Sequence, residues 1–129
     1  MSSILELYDS RVSYIALEYE IAIVHFSHAY IRKSKNKTGK ISGSGWSQEA
    51  ELKLLNPTIP SPLPTLPNTI ADGYLEVGGI KHELIPLPFR RKVGAKLHLE
   101  FVDSTEIEII DEKPTIELIG KPIYLEDFS

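Results

Sequence analysis

The sequence predicts an all-β fold, a single antiparallel sandwich or partly open barrel of about nine to eleven short strands. Two observations carry this. Apolar residues alternate in twos: Trp46, Gln48, Ala50, Leu52 and Leu54 take one side, and Ser47, Glu49, Glu51 and Lys53 the other. Ala95, Leu97, Leu99 and Phe101 alternate in the same way with Lys96, His98 and Glu100. Successive strand side chains point to opposite faces, so this rhythm marks a sheet with one buried and one wet face. The second observation is the lack of any capped i, i+3, i+4, i+7 stripe; a short helix competes only at residues 2–9 or 11–20.

Strands are expected near 3–8, 11–17, 20–26, 29–33, 46–55, 73–78, 80–86, 95–102, 106–110, 115–119 and 122–126. Each is rich in Ile, Val, Leu, Tyr or Phe and is bounded by short polar or Gly/Pro interruptions. Ile21-Ala22-Ile23-Val24-His25-Phe26 is apolar on both faces apart from His25, the pattern of a central strand covered on both sides. If Leu97, Leu99 and Phe101 share a face with Ile107 and Ile109, opposed residues need numbers of equal parity. The connection around Asp103-Ser104-Thr105 must then hold an odd number of residues, and three is the natural length. That register sets His98 and Glu100 beside Glu106 and Glu108 on the outer face.

The 129 residues read as one β domain. Residues 56–68 contain five prolines. Proline fixes φ and removes a donor, so this segment is no interior strand. Its Ile59, Leu63 and Leu66 suit a strap that wraps the domain and covers a sheet edge. Residues 34–45 form a polar, glycine-rich loop that continues the basic run Arg32, Lys33, Lys35, Lys37 and Lys40.

Composition excludes several chemistries. Without cysteine there is no disulfide framework, thiolate zinc site, iron–sulfur cluster or cysteine nucleophile. The first residues lack a basic, apolar leader, and no apolar run approaches the roughly 18 residues that span a bilayer. A soluble cytoplasmic protein without membrane contact is expected. The net charge of −4 argues against a nucleic-acid partner, despite the basic run and the flanking Tyr30 and Trp46. Lys37-Thr38-Gly39-Lys40-Ile41-Ser42 is no phosphate loop, because Ile41 stands where a magnesium-binding hydroxyl belongs.

No assembled catalytic motif emerges, and no cofactor or metal is expected. No serine lies in Gly-x-Ser-x-Gly between a strand and a helix. His25 and His28, three apart, face opposite ways unless a bulge intervenes. His82 falls in phase with Ile80 and Leu84 on an apolar face. His98, Glu100, Glu106, Glu108 and Asp111 are the candidate interaction surface in an acidic C-terminal third that holds nine acids from Glu100 to Asp127. Trp46 and Tyr30, with Tyr14, are the candidate ligand platform.

Leu7-Tyr8-Asp9-Ser10-Arg11-Val12, with Ala29-Tyr30-Ile31 and Gly45-Trp46-Ser47-Gln48, resembles small uncharacterised bacterial all-β domains. Some similar domains sit beside toxins as immunity proteins. The resemblance covers about the first third of the chain, implies class alone and brings no catalytic residue.

Three functions are weighed. The first is a non-catalytic module that meets a protein partner, or a second copy, through acidic residues or an exposed strand edge. The second is a β-barrel holding a small molecule inside or beside Trp46. The third is an enzyme using His98 or His28 with nearby carboxylates.

Overall fold

The twofold rhythm runs through the whole molecule, but it changes phase inside strands that the sequence divides in two. The computed structural model describes residues 2–34, 43–59, 62–90 and 93–128. They form β1 (Ser2–Glu18), β2 (Ile21–Ser34), β3 (Gly43–Leu55), β4 (Asn68–Val77) and β5 (Ile80–His82). β6 (Leu84–Leu87), β7 (Phe89–Arg90), β8 (Ala95–Phe101), β9 (Glu106–Asp111) and β10 (Thr115–Phe128) follow. No helix occurs among the described residues. The strands make one antiparallel sheet in the order β7-β10-β3-β2-β1-β4-β8-β9, with β5 on β4 and β6 on β1.

β1, β2, β3 and β10 form the larger layer, and β4, β8 and β9 the smaller one. Among the described residues the ladder between the two consists of Arg11–Thr69 and Val12–Asn68, and Glu112 N–H, just past β9, donates to Leu55 O of β3 at 3.0 Å. Residues 84–90 pair at one end with Ser3–Glu6 of β1 and at the other with Thr115 and Ile116 of β10. One short segment reaches both strands only if the larger layer curls. The sheet is all-β and unclosed, in keeping with the sandwich or partly open barrel expected. Buried side chains from both layers, among them Leu5, Phe26, Leu52, Leu75, Leu97, Phe101 and Ile109, meet in a single core.

The phase changes have a visible cause. β1 buries Leu5 and Leu7, then Ser10 and Val12. β2 buries Ala22, Val24 and Phe26, then Ala29 and Ile31. Their ladder shifts register between Glu6–Tyr30 and Arg11–His28, where Asp9 has a φ of 68°. β10 shifts between Ile119–Glu49 and Ile123–Ser47, around Gly120 at φ 71°. An extra residue keeps a strand running while moving its apolar set to the other parity. Segments 3–8 and 11–17 are therefore one strand, as are 20–26 with 29–33 and 115–119 with 122–126. β2 is central in the ladder, yet it is fully covered on the core face alone.

Ser10 makes the bulge affordable in hydrogen bonds. Its buried hydroxyl donates to the Glu6 carbonyl at 2.6 Å and accepts from the Tyr30 amide at 2.9 Å. Both are backbone groups next to the broken ladder, and buried backbone groups need partners.

The β8–β9 hairpin has the expected parity, with Leu97 opposite Ile109 and Leu99 opposite Ile107. Val102, Asp103 and Ser104 make the three-residue connection. Ser104 N–H donates to Phe101 O at 2.9 Å, and Phe101 N–H donates to Thr105 O at 2.8 Å. Ser104 takes the left-handed position, with φ 71°, that such loops use. In the proline-rich segment Thr58 exchanges two backbone hydrogen bonds with Ile110, at 2.8 and 2.9 Å. Ile59 and Leu66 pack on the core, whereas Leu63 is exposed.

Replacing Ser10 by alanine strands one amide and one carbonyl inside the larger layer. Ser10→Ala should lower stability by about 1–3 kcal/mol in urea unfolding. Val102→Ala, at the exposed hairpin tip, should stay within about 0.5 kcal/mol of wild type.

Candidate functional site

The acidic surface read from the sequence sits mostly where it was expected. His98 on β8 stands opposite Glu108 on β9 and Tyr74 on β4. Its Nε2 lies 3.6 Å from Glu106 Oε1 and its Nδ1 3.4 Å from Glu108 Oε1. Tyr74 stacks on the imidazole at 5.2 Å, and Lys81 Nζ lies 4.6 Å from the Tyr74 ring centre. Glu100 opposes Glu106 on one side and Asp72 on the other. The outer face of the smaller layer is thus an acidic patch around one imidazole. Among the described residues no three His, Asp or Glu side chains converge as a metal site.

Asp111 does not belong to that patch. It opposes Ala95 and shares parity with Ile107 and Ile109, so it points inward and is 3% exposed. Neither carboxyl oxygen has a hydrogen-bond partner among the described residues. Burial pushes its pKa up to about 7, and nearby backbone amides of Lys113 and Leu55 offset this only in part. It borders an open cleft of about 420 Å³ between Glu76, Gly78, Gly94, Lys96 and Ile110. His82 is also misplaced by the sequence reading. Ile80 and Leu84 are exposed, and His82 meets Phe89 edge-on at 6.4 Å.

Trp46 and Tyr30 do not form one platform. Trp46 opposes Ile31, whereas Tyr30 opposes Ser47, so the two rings take opposite faces of the sheet. On the core side Trp46 packs partly against the core, edge-on to Tyr124 at 5.4 Å and 4.6 Å from Lys33 Nζ. On the outer side Tyr30 Oη donates to Glu126 Oε1 at 2.7 Å. Burial first, and this hydrogen bond second, push the Tyr30 phenol up to about 12. Gly45 makes room for it, since a Cβ there would run into Tyr30 Oη. Arg32 lies 4.5 Å above Phe128. Lys35, Lys37 and Lys40 of the basic run lie outside the described residues.

Two features escaped the sequence reading. The first is a polar chain across β1, β2 and β3. Ser13 Oγ hydrogen-bonds to His25 Nδ1, and His25 Nε2 lies 2.5 Å from Glu49 Oε2. Tyr14 stacks on the imidazole at 4.5 Å and 8°. Ser13 is the extra residue between the pairs Val12–Phe26 and Tyr14–His25. A bulge re-aims its side chain, and no spacing in the sequence announces that. The β2 bulge also puts His28 on this outer face, where it meets Ser27 Oγ at 3.1 Å.

The second is the edge of β10. β7 covers it only at Thr115 and Ile116, so Glu117–Phe128 have no ladder partner on that side among the described residues. Ile123, Tyr124 and Leu125 there are 61%, 49% and 49% exposed. An apolar groove of about 290 Å³, lined by Ser3, Leu87, Pro88, Ile116 and Leu118, opens beside the same edge.

Asp111 gives a signed pH dependence. Its folded value lies above the ordinary 3.8, so its contribution favours folding when protonated and is lost as pH rises toward about 7. Wild type should lose on the order of 2–4 kcal/mol relative to Asp111→Asn between about pH 4 and about pH 8. Urea unfolding of both proteins across that range measures it, and parallel pH profiles would contradict it. Comparison with protein-family models, curated proteins and solved structures finds no match for this chain.

Proposed function

We propose that the chain is a protein-interaction module that receives an extended strand of a partner protein, or of a second copy, along β10. The open β10 edge carries this reading. A strand edge offers a row of unpaired amides and carbonyls, and an added strand satisfies them while side chains alternate into neighbouring pockets. Gly120, Lys121 and Pro122 blunt the middle of the edge, because proline donates no hydrogen bond and lysine resists burial. The stretch from Ile123 to Phe128 keeps Ile123, Tyr124 and Leu125 exposed and is the part suited to pairing. The groove beside Leu118 is shaped to take a side chain of the arriving strand.

The acidic patch around His98 fits this role as a steering surface. Like charges on one face speed the approach of a basic partner and set orientation more than they add affinity. An immunity-like role, in which such a module captures one protein, is a specific form of the same reading. A cysteine-free domain suits the reducing cytoplasm. Among the described residues no helix is long and apolar enough to cross a membrane.

The chain itself is the simplest source of strands for a test. Outward amides of Ile123–Phe128 should exchange hydrogen rapidly in dilute solution and gain protection as concentration and molecular mass rise together. Ile123→Lys combined with Leu125→Lys should hold the mass at the monomer by light scattering. Slow exchange of these amides in the dilute monomer would mean that the edge is already covered, and would refute the proposal.

A further inference from the structure

Nucleophilic catalysis by serine needs a hydroxyl bound to a base, and the base bound to a group that orients it. The outer face of the larger layer holds that sequence of contacts on three adjacent strands, in Ser13, His25 and Glu49. We propose that Ser13 is an activated nucleophile that accepts the acyl group of small activated carboxylic esters, with His25 as base and Glu49 as positioning residue. This site is separate from the β10 edge and does not depend on strand docking.

Protonation follows from the partners. Glu49 Oε2 is an acceptor, so His25 carries its proton on Nε2 and leaves Nδ1 free to receive the Ser13 hydroxyl. Ser13 Oγ also lies 3.2 Å from the His25 carbonyl, which gives the hydroxyl a resting alternative on the same residue. Tyr14, stacked on the imidazole, fixes the ring plane. The carboxylate of Glu49 favours the imidazolium that forms during attack. Beyond Val12, β1 has β2 on one side and no ladder partner on the other among the described residues. Backbone amides directed to that open side can donate to a developing oxyanion.

The chemistry closes without a further reagent beyond ester and water. Ser13 Oγ bonds to the carbonyl carbon while its proton passes to His25 Nδ1. The tetrahedral adduct collapses, the bond to the leaving alcohol breaks, and His25 returns the proton to the departing oxygen. Water then attacks the acyl-serine by the same route, releasing the carboxylic acid and restoring Ser13.

The intact protein incubated with p-nitrophenyl acetate, with peptide mass spectrometry, tests the proposal. Ser13 should gain one acetyl group, and Ser13→Ala should abolish that adduct. His25→Ala should slow acetylation of Ser13 by about a hundredfold. Glu49→Gln should lower the maximal rate and leave the half-saturating ester concentration unchanged, which a merely structural role would not produce. Unchanged circular dichroism of each variant shows that the sheet persists. Acetylation of Ser13 at the same rate in His25→Ala, or adducts confined to other residues, would overturn the assignment.

Discussion

A strand can bury only every second side chain, and the rest of this structure depends on where the chain changes which set it buries. On β1 the change falls between Leu7 and Ser10, and on β2 between Phe26 and Ala29. Each bulge sets two residues against one on the neighbouring strand, so opposed residues share a face again beyond it, as Phe26 with Ala50 and Ile31 with Trp46 do across β2 and β3. The Ser10 hydroxyl ties the two changes together by bridging the Glu6 carbonyl and the Tyr30 amide. β3 keeps one phase throughout, through Ala50, Leu52 and Leu54, and serves as the straight reference between β2 and β10.

The chemistry of the outer face follows from those irregularities. On regular strands His25 and His28 would point apart and Ser13 would have a partner opposite it. With the bulges, both imidazoles stand on one face, and Ser13 is turned toward His25 Nδ1. The same curl leaves residues 84–90 as the sole bridge between β1 and β10, so most of β10 runs without a neighbour on that side among the described residues. One end of the larger layer thereby gains an open edge, and its middle gains a hydroxyl–imidazole–carboxylate chain.

Much of the fold was legible because alternation is a local signal. The parity of Leu97, Leu99, Ile107 and Ile109 gave the hairpin register and the neighbours of His98 from sequence alone. Asp111 was legible too: it has the parity of Ile107 and Ile109, and grouping it with Glu106 and Glu108 by charge ignored that. The long strands were not legible, since a phase change at Asp9 or Gly120 looks the same as a strand ending there. The split of Trp46 from Tyr30 depends on the β2–β3 register, which is set across a 13-residue and a 14-residue strand by the packed core. Glu49 is not directly opposite His25, whose partner is Glu51, so even a correct register would not have named the contact.

The paired phase change of β1 and β2 is read most directly by nuclear Overhauser contacts between their backbones. Cross-strand contacts should join Glu6 to Tyr30 and, in the same sample, Tyr14 to His25. A single unbroken register continued from Glu6–Tyr30 would instead set Tyr14 opposite Ala22. Contacts between Tyr14 and Ala22 would contradict the account, and with it the placement of Ser13 beside His25.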